Sequence, residues 1–225
     1  MIGRARGGPG PDGTLAGPVW IVASPFKTAT TTVGQALIDL GAGRRDMGYR
    51  GSLLQAWRKT FDALNREIGP GRDFAAFAAA RGATLRAELA PLAADLAGFD
   101  VFSDAPVGHG HLHPFVWKIL APEARFIWVA RPRAEWIASA RHWEETHPET
   151  YPRHVLWQTD PARRERQLVK RRRLRRARFD AIAAACPSDC LVLPIAALAD
   201  YRALAAFCGV PAPAGPMRRQ NVSGR

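Results

Sequence analysis

The sequence predicts an α/β protein: a single three-layer domain in which a parallel sheet carries helices on both faces. Two patterns support this. Short apolar runs at about 19–23, 100–103, 125–130 and 190–194 read as buried strands, and helical stretches alternate with them. A chain of 225 residues can bury one good core. In such sheets ligands bind beyond the carboxyl ends of the strands. The loop that holds Lys27, then Asp104, and then Arg131 all fall at those ends. One crevice could therefore collect all three.

The first element is the most informative. Val19 to Ala23 reads as a strand, followed by a tight loop and an amphipathic helix from about Thr30. A helix opened in this way presents unpaired N–H groups and the positive end of its dipole, which together make an anion site. Lys27 sits in the loop, and Thr28, Thr30, Thr31 and Thr32 add hydroxyls. A phosphate or sulfate group is the natural guest. The triphosphate-binding version of such a loop is G-x-x-x-x-G-K-[ST], with Ser/Thr on magnesium. Over Ser24–Thr31, Ser24 and Ala29 take the glycine positions, Thr30 stands where lysine belongs, and the lysine has moved upstream to Lys27. That suits a single 5′-phosphate with a reacting group beside it better than a magnesium-bound triphosphate.

Arg125 to Ala130 reads as a second buried strand. Arg131 follows it, Pro132 is placed to open a helix, and Ser139 lies on that helix. The rise between Arg131 and Ser139 is about 10–12 Å, which a long Arg side chain plus a phosphate can largely span. The planar Arg fork donates two parallel bonds to phosphate oxygens. Further on, Cys190–Pro194 reads as a strand and Leu198–Cys208 as a helix ended by Gly209-Val-Pro-Ala-Pro, followed by Met217-Arg218-Arg219.

Pro25-Phe-Lys27-Thr-Ala-Thr30-Thr31 resembles the phosphosulfate-binding loop of the sulfotransferases, and the strand–Arg131–Ser139 arrangement resembles the second half of their nucleotide signature. The resemblance runs from about Val19 to Ser223. It implies a P-loop NTPase-like sulfotransferase fold, with 3′-phosphoadenosine 5′-phosphosulfate as co-substrate and no metal. It puts Lys27 on the bridging oxygen of the leaving nucleotide and Thr28, Ala29, Thr30 and Thr31 around the 5′-phosphate. Arg131 and Ser139 fall on the 3′-phosphate, and Arg218 or Arg219 closes over it. The acceptor is then a hydroxyl or amine of unknown identity.

The general base is open. Common soluble members place a His before Leu-Pro just after a strand; here Phe102-Ser-Asp104-Ala-Pro106 occupies that place. Asp104 is one candidate base, and His109 or His111 is its competitor. His109, His111 and His113 could also form a metal cluster, but no carboxylate or Cys completes a recognised spacing. Two positions depart from the family pattern. Ala29 replaces the loop glycine, which fits if the backbone there needs no positive φ. Thr32 stands where many members have an aromatic residue against adenine. Trp57, Trp136, Trp143 and Trp157 are expected in the core, with an acceptor pocket as the other reading.

Residues 1–18 are rich in Gly, Pro and Arg and read as a flexible tail, leaving 19–225 as the domain. No run has the length of a membrane span or the shape of a signal peptide, and the three cysteines form no C-x-x-C pair. A soluble, cytoplasmic enzyme with no membrane partner is the expectation. The net charge of +12 is concentrated in 163–178, which reads as a helix with Leu168, Leu174 and Phe179 inward. Its arginines suit a solvated face, a crevice for an anionic donor, or an acidic acceptor such as a sulfated or carboxylated sugar. Nucleic acid is not expected, since no RNA-binding signature or stacking platform accompanies the charge. The alternatives to a sulfotransferase are a P-loop kinase or NTPase, and a basic nucleic-acid-binding protein on an inactive P-loop scaffold. The stretch 50–96 carries no motif.

Overall fold

The computed structural model describes residues 14–218. Its sheet, among the described residues, has four parallel strands: β1 (Val19–Val22), β2 (Val101–Phe102), β3 (Ala124–Ala130) and β4 (Cys190–Pro194), in the order β2-β1-β3-β4. The expected strands are found at their expected places, though β2 is shorter than 100–103. Trp20 pairs with Val101 on one side of β1, and Val22 pairs with Ile127 on the other. The strands read as apolar runs because both faces are covered. Val19, Ile21 and Ala23 enter one core, and Trp20 and Val22 enter the other.

Helix α1 (Thr30–Asp39) packs Val33, Ala36 and Leu37 into the second core, where Leu204 of the C-terminal helix joins them. The first core is covered by α2 (Gly51–Ile68), α3 (Phe74–Glu88), α4 (Ala90–Leu96) and α5 (Pro114–Leu120). The motif-free stretch 50–96 is thus three helices that supply Phe61, Leu64, Phe77, Leu85 and Leu92 to the core. A third cluster joins α6 (Arg133–Thr146), α7 (Leu156–Thr159) and α8 (Pro161–Ala185) through Trp136, Ala140, Trp157 and Leu168. Pro132 does precede a helix, and Ser139 lies on it.

Two helices differ from expectation. The basic run is part of α8, which Asp160 opens by accepting from Arg163 N at 2.9 Å. Leu168 and Phe179 are buried, but Leu174 is 53% exposed. At 100° per residue Leu174 points well away from Leu168, and the inner face is instead Arg164, Leu168, Arg171, Arg175, Phe179 and Ile182. The expected helix 198–208 is broken: a 3-10 turn, Ile195–Ala199, ends at extended Asp200, and α9 (Arg202–Cys208) starts afresh. Of the segment expected to be a tail, Leu15 is buried and its N–H donates to Leu120 O at 2.7 Å, so packing begins before Val19.

The carboxyl end of β2 is held by one side chain. Asp46 accepts from Ser103 N and Gly48 N, each at 3.1 Å, and from Ser103 Oγ. Helix α1 lies directly on this clasp because Gly34 has no side chain: a Cβ there would fall 2.6 Å from Asp46 Oδ2 and 2.6 Å from Ser103 Cβ. Gly34→Ala is expected to destabilise the fold by about 1–3 kcal/mol through overpacking. Urea unfolding midpoints check this, and an unchanged midpoint would show that α1 is free to move away from β2.

Candidate active site

The strand order puts the change of winding direction between β1 and β3, since the chain leaving β1 reaches β2 at one edge while β3 lies on the other side. Both loops at this point open into a cleft of about 920 Å³. The β1–α1 loop is held by its own side chains. Thr28 is fully buried; its hydroxyl donates to Pro25 O at 2.7 Å and lies 2.9 Å from Ser24 Oγ. Thr28 therefore shapes the loop and does not line the cleft, whereas Ala29, Thr30, Thr31 and Thr32 do. Lys27 and Ala29 both sit at positive φ, 62° and 65°. The family's glycine position thus does demand a left-handed backbone, and Ala29 meets it at a cost of about 1 kcal/mol or more. Ala29 caps α1 without a side-chain bond and no acidic residue occupies the first turn, which leaves its N–H groups to an anion.

Lys27 and Arg131 meet across this point. Arg131 Nη1 donates to Lys27 O at 2.8 Å, and Arg172 Nη2 donates to Arg131 O at 2.6 Å. Glu135 lies 3.7 Å from Arg131 Nε. The Lys27 ammonium rests over the Trp143 ring, 3.8 Å from its centre, and Trp143 stacks on His147. Burial, and then the Arg131 charge, lower the Lys27 pKa. Ser139 lines the same cleft. Arg218 is exposed and is not among the lining residues, while Arg219 lies outside the described residues.

The two rival bases are neighbours in one chain of polar contacts. His109 Nδ1 lies 3.3 Å from Asp104 Oδ1, and His109 Nε2 lies 3.2 Å from Thr30 Oγ1. His109 is 6% exposed and the Asp104 side chain 31% exposed, and both line the cleft. Burial raises the Asp104 pKa, opposed by the Ala105 N–H that it accepts. Burial also drives the His109 pKa well below its ordinary value, with Arg175 adding to this. His111 lines the cleft. His113 instead caps α5, accepting from Phe115 N at 3.3 Å, so the three histidines do not converge. Among the described residues no set of three His, Cys, Asp or Glu side chains is placed to hold a metal ion.

The profile of a sulfotransferase domain matches residues 20–225. The chain belongs to the sulfotransferase domain family. No curated protein matches it. The family makes this chain a transferase, and the parallel α/β sheet of the described residues accords with it. No helix among the described residues is long and apolar enough to cross a membrane.

Sequence reasoning left four cationic residues unassigned in this sulfotransferase's cleft: Arg153, between α6 and α7, and Arg171, Arg172 and Arg175 on α8. The signal was present, since Arg171 and Arg175 share the helical face of Leu168 and Phe179. Arg164, further up that face, is buried against Glu144, which also accepts from Trp157 Nε1 at 2.9 Å. Of the four tryptophans weighed for an acceptor pocket, Trp136 and Trp143 line the cleft; Trp157 is buried and Trp57 packs against the first core. Trp136 also ties the loop down by donating to Phe26 O at 2.9 Å. Thr32 is joined on the cleft wall by Ile195, Ala196 and Leu198 at the end of β4.

Acid is expected to destabilise this protein through His111 and His113. Burial and neighbouring arginines hold His111 and His113 down at about 3. In the unfolded chain each takes a proton near pH ~6.5, as ordinary histidines do. Their contribution is therefore complete above that pH and is lost as pH falls toward 3, by on the order of 1 kcal/mol per pH unit for each histidine. Urea midpoints are expected to drop steadily below neutral pH, and His111→Gln should flatten the slope. A midpoint insensitive to acid would show that these rings are protonated in the folded state.

Proposed function

We propose that the protein transfers a sulfuryl group from 3′-phosphoadenosine 5′-phosphosulfate to a hydroxyl or amine. The contact that carries this reading is the Arg131–Lys27 bond, which sets the loop cation and the strand-end guanidinium at one cleft beside the uncapped start of α1. That spacing suits the two anionic ends of one small nucleotide. The α1 N–H groups, with Thr30 and Thr31, take the 5′-phosphate. Arg131 and Ser139 take the 3′-phosphate. The apolar wall of Ile195 and Leu198 is left for the purine, since Thr32 offers no ring.

In the reaction the acceptor oxygen or nitrogen attacks sulfur, and the bond from sulfur to the bridging oxygen breaks. The acceptor's proton passes to Asp104, and the negative charge left on the departing phosphate falls to Lys27. A donor preorganised at that oxygen is worth most in the transition state. Lys27 must swing from the Trp143 ring to reach it. Asp104 is the better base than His109 because it is the partly exposed end of the pair. Its raised pKa strengthens it as a base, while His109 orients it.

Adenosine 3′,5′-bisphosphate is expected to raise the melting temperature, and ATP with magnesium to do little. The reverse ranking would favour a kinase or NTPase. Lys27→Ala should lower kcat by about 100-fold or more with little change in bisphosphate affinity. Arg131→Ala should chiefly weaken the bisphosphate, by about tenfold or more. Equal effects of the two on both quantities would reject this division. Asp104→Asn should lower turnover by about 100-fold or more and abolish the acid limb of the pH–rate profile. A surviving limb would move the base elsewhere.

A further inference from the structure

The cleft is over-supplied with cations for the donor alone. Seven Lys and Arg residues line it, against the three carboxylates Asp104, Glu135 and Glu144. Two of those acids are engaged, Glu144 by Arg164 and Trp157 and Glu135 by Arg131. Lys27 and Arg131 belong to the nucleotide, and Arg172 is spent on the Arg131 carbonyl. Arg153, Arg171 and Arg175 are left. Among the described residues none of the three has an ion pair.

Their place in the fold sets them apart from the donor loops. The stem of Arg175 lies against Gly110: a Cβ on Gly110 would be 3.4 Å from Arg175 Cγ and 3.0 Å from Ala23 O. Gly110 directly follows His109, so α8 is pressed onto the very turn that carries the Asp104–His109 pair. Arg175 is half-buried and Arg171 is open to the cleft. Three facing guanidiniums oppose one another. Burial and the charges of Arg171 and Arg178 push Arg175 down to about 10, and Arg153 and Arg164 act likewise on Arg171. The nearest compensating acids are Glu144, already taken, and Asp62, which faces Arg178. Like charges gathered on one wall, with Arg175 half-buried and Arg153 and Arg171 open to the cleft, repel one another unless an anion joins them.

We propose that the acceptor is itself a small anion, carrying a carboxylate or sulfate group beside the hydroxyl or amine it offers, and that Arg171 and Arg175 hold that group while Asp104 faces the nucleophile. This rests on the sulfotransferase reading of the cleft. A fork of guanidiniums binds either anion through paired N–H donors. It also offsets the repulsion that an anionic acceptor would meet from the bound donor and from Asp104.

The test uses matched acceptors on the bisphosphate-saturated protein, titrated by calorimetry. One pair is hydroxyphenylacetate and its amide; the other is hydroquinone monosulfate and hydroquinone monomethyl ether. At least one anion is expected to bind about tenfold or more tighter than its neutral partner. The arm that shows the preference tells carboxylate from sulfate. Arg171→Gln with Arg175→Gln should erase the preference while the bisphosphate still raises the melting temperature. Arg173→Gln, on the outer side of α8, should leave the preference in place. Equal binding within both pairs, or a preference that survives the double substitution, would overturn the proposal. So would loss of the bisphosphate response in the double variant, since the arginines would then belong to the donor. If the bisphosphate fails to stabilise the unsubstituted protein, it is the donor reading that falls, and the same titrations on the protein alone still compare each anion with its neutral partner.

Discussion

The pairing of β1 with β3 is the constraint on which the rest of the structure depends. It aligns Val19 with Ala124 and Val22 with Ile127, so the two strands start level and β3 runs on to Ala130 beside the loop that leaves β1. The loop after β1 carries Lys27 and the turn after β3 carries Arg131. Because the strands are parallel neighbours, a single hydrogen bond from Arg131 to the Lys27 carbonyl can lock the two together. Arg172 then fixes the Arg131 carbonyl from α8, and Trp136 fixes the Phe26 carbonyl from α6. The candidate anion site is thus held by backbone carbonyls clamped from three directions. Such positioning is less dependent on mobile side chains than a site assembled from surface loops.

The site is also where the fold carries its strain. Lys27, Ala29 and His109 have positive φ, and each lies on the cleft. A left-handed backbone is unfavourable for any residue with a Cβ, so these conformations persist because the surrounding packing imposes them. Around Lys27 and Ala29 the imposing contacts are the bonds of Thr28 and the clamps on the loop. Around His109 they are Asp104, Thr30 and the close approach of Gly108 and Gly110 to backbone atoms. The mutual repulsion of the α8 arginines adds to the same cost. A stable core on both faces of the sheet, with Val22, Leu37, Phe102, Phe126 and Val129 fully enclosed, offsets it.

Much of the fold and half of the candidate site were legible in the chain. The four apolar runs were, because burial on both faces makes each strand apolar along its whole length. The Lys27 loop and the Arg131–Ser139 pair were as well, because each is a local pattern set by a strand end and a helix start. What failed to show was anything that depends on which way a helix turns. Leu174 looked like core and is exposed, while nothing in the basic run separated Arg171 and Arg175, which face the cleft, from the arginines of a solvated face. The break at Asp200 was hidden for a similar reason, as Asp200 pairs with Pro216, far along the chain, while its carboxylate accepts from Arg202 N at the start of the next helix.

Short-range patterns of apolar residues, Lys, Thr and Arg were enough to read the layers of the protein and the candidate anion-binding ends of two strands from the chain. How the remaining polar groups share the work came from packing. Asp104 and His109 were rivals in the sequence and are partners in space, with the carboxylate open and the ring enclosed. His113 stands apart from the other two histidines to cap a helix, and the Thr28 hydroxyl braces its own loop. The physical reason is common to all of them. A polar side chain's role is set by which neighbours desolvate and bond it, and those neighbours come from strands and helices far away along the chain.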